Sequence, residues 1–156
     1  MNKQQILKKL DKAWSDLQES YTGLSDAQML EPGVTGDWSV RDLVAHVSWW
    51  EEEVLKHLPH ILSGKRPPRY SVLYGGIDAF NALKREQKLS LSLVEVRKEA
   101  AETHQRLVEY INSVSEEQIV LERRFHRRLR LDTYNHYPIH ARAIRAWREC
   151  FGVDLG

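Results

Sequence analysis

Apolar residues recur every three or four positions along most of the chain, in runs parted by glycine, proline and serine. Ile6, Leu7, Leu10, Trp14, Leu17 and Tyr21 form the first stripe, with Lys8, Lys9, Asp11 and Asp16 between them. That spacing predicts a surface helix burying one face. Gly23 suits its end, since glycine accepts the left-handed backbone found there, and Pro32, Gly33 and Gly36 predict an irregular stretch up to Trp38. Ser39 followed by Asp42 has the spacing of a capping box. It opens a second helix, whose stripe Leu43, Val47, Trp50, Val54, Leu58 and Ile61 runs to about Gly64. Lys65-Arg66-Pro67-Pro68 through Gly75-Gly76 reads as a loop, because the prolines remove amide donors and force extended geometry on their neighbours. A third helix is expected from Asp78 to about Asn112, with Leu93, Ala100, His104, Leu107 and Ile111 inward and a kink at Ser90 or Ser92. A turn at Ser115 to Gln118 and an arginine-rich connector lead to a last helix ending near Cys150, before Gly152. Only Phe125 to Leu131 alternates with a period of two, too little for a sheet. The fold class expected is all-α, a four-helix bundle forming one domain over residues 1–156.

With 42% hydrophobic residues, a chain of this length closes a core without disulfides. The lone Cys150 rules out an intrachain disulfide and suits a reducing compartment; it reads as a buried structural thiol. Charges break the apolar residues of the first segment, and no later run reaches membrane-spanning length, so a soluble cytoplasmic protein without a membrane partner is expected. Net charge is +1, from 23 basic and 22 acidic residues, which argues against nucleic acid as a partner. Arg123, Arg124, Arg127, Arg128 and Arg130 form the one dense basic run. Such a run is ordinarily solvated surface; the sharper reading has one or two of its arginines reaching an anionic substrate at the bundle mouth.

The candidate chemistry lies in the histidines. His136 and His140 are four residues apart and share a helical face with Ala143, Ile144, Trp147 and Phe151, which makes it the buried face. Pro138 costs nothing if Asn135 caps that helix, and introduces a kink if the helix starts at Asp132 or Thr133. His46 stands at the edge of the second helix's stripe, pointing inward. Three neutral imidazoles suit a divalent ion such as zinc, nickel or manganese and leave a coordination position for water or substrate. The plainer reading is a set of hydrogen-bonded core histidines, and spacing alone does not bring His46 to the other two. Trp49, Trp50, Glu53, Asn81, His104 and Tyr137 are candidates for a ligand pocket around the triad, Glu53 as a base or orienter and His104 as a fourth ligand or substrate contact. Core packing competes as the role of the aromatics and of His104. His57 and His60 lie too far along the same helix to join His46.

Gly36-Asp37-Trp38-Ser39-Val40-Arg41-Asp42-Leu43-Val44-Ala45-His46 with Trp50-Glu51, then Asp78-Ala79-Phe80-Asn81, then Asp132-Thr133-Tyr134-Asn135-His136-Tyr137-Pro138-Ile139-His140 with Ile144 and Trp147, resemble the DinB-like (DinB/YfiT-like) helical bundle superfamily, nearest to its ClbS/DfsB branch. The resemblance spans nearly the whole chain. It implies a four-helix bundle, often a homodimer, whose metal ligands correspond to His46, His136 and His140. It also implies an enzyme acting on a reactive small molecule, by hydrolysis or thiol transfer, in detoxification or stress resistance. The alternatives are a metal-independent ClbS-like hydrolase or sequestration protein, and a non-catalytic dimeric bundle. Ile139 stands where an acidic residue is common between the two histidines, which leaves the orientation of the imidazoles to other groups.

Overall fold

Side-chain caps decide where most of the helices begin. In the computed structural model, which describes residues 1–151, the chain forms α1 (Lys3–Ser20), α2 (Asp26–Leu30), α3 (Val40–Leu62), α4 (Tyr70–Leu73), α5 (Ile77–Lys88), α6 (Leu93–Ser113), α7 (Glu116–Leu121), α8 (Arg123–Asp132) and α9 (Tyr137–Cys150). Asn2, Ser25 and Ser39 open α1, α2 and α3 with reciprocal capping boxes closed by Gln5, Gln28 and Asp42. Ser92 and Ser115 accept the amides of Glu95 and Gln118 at the starts of α6 and α7. Among the described residues there is no strand, only an isolated bridge between Thr35 and Trp38. No described helix is long and apolar enough to cross a membrane.

The four longest helices close a ring in which α1 meets α6, α6 meets α3, α3 meets α9 and α9 meets α1. This is the expected bundle. Ile6, Leu10, Leu58, Leu107, Ile111 and Ile144 are wholly buried at its centre. Two further helices, α5 and α8, pack on α3 outside the ring, so α3 is covered on several sides. Every residue from Val40 to Trp50 is buried, polar ones included, which makes α3 the element on which the others are assembled.

Several boundaries differ from expectation for identifiable reasons. The single helix expected from Asp78 to Asn112 is two, α5 and α6. Besides the Ser92 cap, Arg41 of α3 donates to the carbonyls of Lys88 and Leu91, so a buried guanidinium satisfies the groups that the break exposes. The stretch after Gly23 is not wholly irregular, because the Ser25–Gln28 box nucleates α2. The Ser115–Gln118 turn and the arginine-rich connector are helical as α7 and α8, and in α8 the burial of Phe125 and Leu129 follows a four-residue period. Cys150 and Phe151 are exposed, not buried, because the last turn of α9 runs past the core. Gly152, expected to follow that helix, lies outside the described residues.

Candidate metal centre

The turn between α8 and α9 places two of the three histidines. The Thr133 hydroxyl donates to the Leu129 carbonyl at 2.6 Å, and the Thr133 carbonyl accepts the amides of His136 and Tyr137 at 2.8 Å each. His136 is thereby the cap of α9 (φ −92°, ψ −48°), in place of either start considered above, and Pro138 falls in the first turn, where no intrahelical bond is lost. His140 follows one turn into the helix. His46 reaches the same point from α3, 7% exposed, with the rings of Trp38 and Trp49 edge-on to it at 5.3 and 5.0 Å.

The three side chains converge through one nitrogen each. His136 Nε2 lies 3.1 Å from His46 Nε2 and 2.8 Å from His140 Nε2. All three nitrogens fall within 4.8 Å of one another. A neutral imidazole has one N–H, so His136 Nε2 offers its two neighbours either one proton or one lone pair, and one pairing is poor in either case. A cation satisfies all three lone pairs at once. Bonds of about 2.0–2.1 Å in tetrahedral geometry would set the nitrogens about 3.3 Å apart, near the two distances from His136 Nε2. The residues therefore fit a divalent ion. Burial drives His46 down to about 2, helped by His136 and His140, and His140 down to about 3, helped by His136. His136 is lowered by burial to about 4, with the Asp132 backbone carbonyl acting the other way. The imidazoles are thus held neutral, the form that ligates a metal. His46 Nδ1 is buried without a hydrogen-bond partner among the described residues, so the orientation of that ring rests on its aromatic neighbours.

An open cavity of about 340 Å³ adjoins the triad, with His46 and His136 in its wall. Of the other sequence candidates, Trp50 and Asn81 line it. Asn81 Oδ1 accepts the indole N–H of Trp49 at 3.0 Å and of Trp50 at 2.9 Å, which binds α5 to α3 and leaves the amide nitrogen as the donor. Tyr70, Arg128 and Asp132 complete the polar wall, and Ile77 and Leu131 form the apolar lips, half-exposed. Arg128 and Asp132 are an ion pair one helical turn apart, at 2.5 Å.

The remaining candidates serve other contacts. Glu53 accepts from Tyr70 at 3.1 Å and pairs with His57 at 3.7 Å; burial raises its pKa, and these two partners outweigh the burial and hold it lowered. It supports the cavity wall from behind. His104 and Tyr137 belong to a separate cluster around Glu51, which is fully buried. Glu51 Oε2 pairs with His104 Nδ1 at 2.7 Å and accepts the Tyr137 hydroxyl at 2.9 Å, while His104 stacks on Trp14 at 3.8 Å. Burial raises the Glu51 carboxyl, with His104 the main opposing influence. His104 is thus a satisfied core histidine rather than a fourth member of the triad. Sequence reasoning missed Tyr70 and Asp132 as cavity groups. For Asp132 the four-residue spacing from Arg128 was a usable signal; for Tyr70, between prolines and glycines, there was none.

The family model for the DinB superfamily matches residues 9–142. No curated protein matches the chain. Among solved structures, the chain is similar to DfsB, described as a sibling lethal factor precursor, with TM-score 0.78, 18% identity and 96% of each chain covered. It is similar to the colibactin self-resistance protein ClbS in complex with a dsDNA, with TM-score 0.79, 18% identity and 96% of each chain covered. An uncharacterised protein from Escherichia coli UTI89 aligns with TM-score 0.77 and 18% identity, over 97% of this chain and 95% of its own. The expectation that nucleic acid is no partner gains no support here, since one of these neighbours is itself bound to DNA.

Proposed function

Because the chain belongs to the DinB superfamily, as the match over residues 9–142 establishes, we propose that it is a divalent-metal enzyme acting on a reactive small molecule, by hydrolysis or thiol transfer, in detoxification. The observation that carries this reading is the convergence of three Nε2 atoms beside an open cavity whose wall includes His46 and His136. His46, His136 and His140 would hold the ion; when bound, it supplies Lewis acidity and lowers the pKa of water or a thiol beside it. Asn81 donates into the same space, and Trp50 gives it an apolar face. The likeness to the colibactin self-resistance protein ClbS supports a protective role.

The test is metal content of protein carrying no polyhistidine tag. Near one equivalent of zinc, nickel or manganese is expected in the wild type, with little in His46→Ala or His140→Ala. A folded wild type that takes up none of the three after incubation with each would overturn the reading and leave metal-independent hydrolysis or sequestration.

A second reading is favoured by one feature of α8. Arg123, Arg127 and Arg130 are exposed, and the ClbS neighbour binds dsDNA, so this face is a candidate DNA surface. Titration with a labelled duplex should show affinity that falls steeply with salt and weakens when the three are changed to alanine; affinity unaltered by the changes places any DNA contact elsewhere.

A further inference from the structure

We propose that Arg128 is a substrate-binding residue, its free guanidinium edge hydrogen-bonding a carboxylate carried by an apolar small molecule that lies against Trp50, Ile77 and Leu131. This rests on the reading above only in taking the cavity beside the triad as the substrate site.

Arg128 differs from its basic neighbours in direction. Phe125 and Leu129 are wholly buried, which turns that side of α8 toward α3 and carries Arg128 inward, its side chain only 19% exposed. Two of its three nitrogens are spent. Nε donates to Asp132 Oδ2 at 2.5 Å, and Nη2 donates to the Tyr70 hydroxyl at 2.7 Å, which in turn donates to Glu53. Nη1 meets no acceptor among the described residues, and the residue lines the cavity. Held through Nε and one N–H of Nη2, the guanidinium presents Nη1 in a fixed direction, which removes most of the rotamer freedom an arginine ordinarily loses on binding.

The other polar groups of the wall point to the same ligand chemistry. Asn81 has its oxygen occupied by two indoles and keeps only its amide N–H groups to offer. The Tyr70 hydroxyl accepts from Arg128 and donates to Glu53, so it is engaged both ways. Asp132 is the exception, and its carboxylate is turned to Arg128. A wall whose unspent groups are mainly donors suits an acceptor-rich ligand, and a carboxylate matches the planar edge of a guanidinium. Asp132 compensates the charge of Arg128, so the arginine acts by directed donors more than by net field. The cavity's volume is at the small end of the about 300–1,000 Å³ of ligand sites, which limits the guest to a compact body. With its carboxylate on Arg128, the guest would extend its other end toward His46 and His136.

The experiment is calorimetric titration of 3-phenylpropionate and of the matching neutral amide, 3-phenylpropionamide, into chelator-treated protein, where no ion can bind the carboxylate. The expected result is at least a tenfold preference for the carboxylate in the wild type, abolished in Arg128→Gln and raised severalfold in Asp132→Asn, which frees the guanidinium of its internal competitor. If Arg128→Gln alone does not fold, because Asp132 is left unpaired, the Arg128→Gln/Asp132→Asn protein replaces the pair by neutral amides and carries the same expectation of no preference. Equal affinity for the two probes in the wild type, or a preference that survives loss of the arginine, would overturn the proposal. If the same wild type, freed of chelator, then takes up no zinc, nickel or manganese, the metalloenzyme reading falls while the carboxylate preference leaves this one standing.

Discussion

The three histidines are held neutral in a place where water would ordinarily let them take up protons, and this has a sign that can be measured. Their pKa values in the folded protein, about 2, 3 and 4, lie below the ordinary 6.5 of an unfolded chain. The unfolded chain therefore binds protons first as pH falls. The stability of metal-free protein should be fully present above pH 6.5 and decline from there until the last of the three titrates near pH 2, by on the order of 1–2 kcal/mol per histidine at pH 5. Urea midpoints from pH 8 to 5 in the presence of chelator measure this decline, and His140→Gln should flatten it; an equal slope in that variant would show that other groups set the pH dependence. At this scale the sequence was partly legible. The four-residue spacing of His136 and His140 and the inward place of His46 follow from helical periodicity alone. Glu51 was not legible as a buried acid, because it reads as a polar gap beside Trp50, and only the packing of α6 and α9 on α3 brings His104 and Tyr137 to it.

Elements meet the site through α3, and the break between α5 and α6 depends on one of its side chains. Arg41 is buried and donates to two carbonyls at that break, Lys88 and Leu91. Arg41→Met keeps the stem and removes the donors, and should cost about 2–4 kcal/mol in urea unfolding, against about 1 kcal/mol for loss of the Ser92 cap in Ser92→Ala. A cost for Arg41→Met no larger than that of Ser92→Ala would mean that water satisfies these carbonyls. The break falls where the sequence suggested a kink at Ser90 or Ser92, but the helix formers of 78–112 hid that it is a full break, because part of its cause lies in residue 41, far away in sequence. The S-x-x-Q signals of α2 and α7 were present but too short to stand out from turns. The stripes of α1 and α3 were read correctly because each buries one broad face over several turns, whereas in α9 only Ile144 and Trp147 of the expected apolar face are buried, with Tyr137 and Ala141 beside them and Phe151 exposed.

For the molecule as a whole, the triad joins the N-terminal part of α3 to the start of α9. An ion bound there and absent from the unfolded chain stabilises the fold by about 2.7 kcal/mol at a concentration of 100 times Kd, and the melting temperature of a chain this size should rise by about 5–10 °C. Differential scanning calorimetry with zinc and then with chelator measures the shift; no shift in the wild type, or an equal one in His46→Ala, would show that these histidines do not carry it. The assembly on α3 has a further consequence. His46, Trp50 and the partners of Asn81 all belong to that one buried helix, whereas Ile77 and Leu131 stand half-exposed at the cavity's edge on α5 and α8. The buried side of the cavity and its rim thus differ in their tolerance of mutation. The rim can vary at little cost to folding, so, if the cavity takes the molecules proposed above, a lineage built on this scaffold can be retuned to new ones faster than it can lose its buried wall.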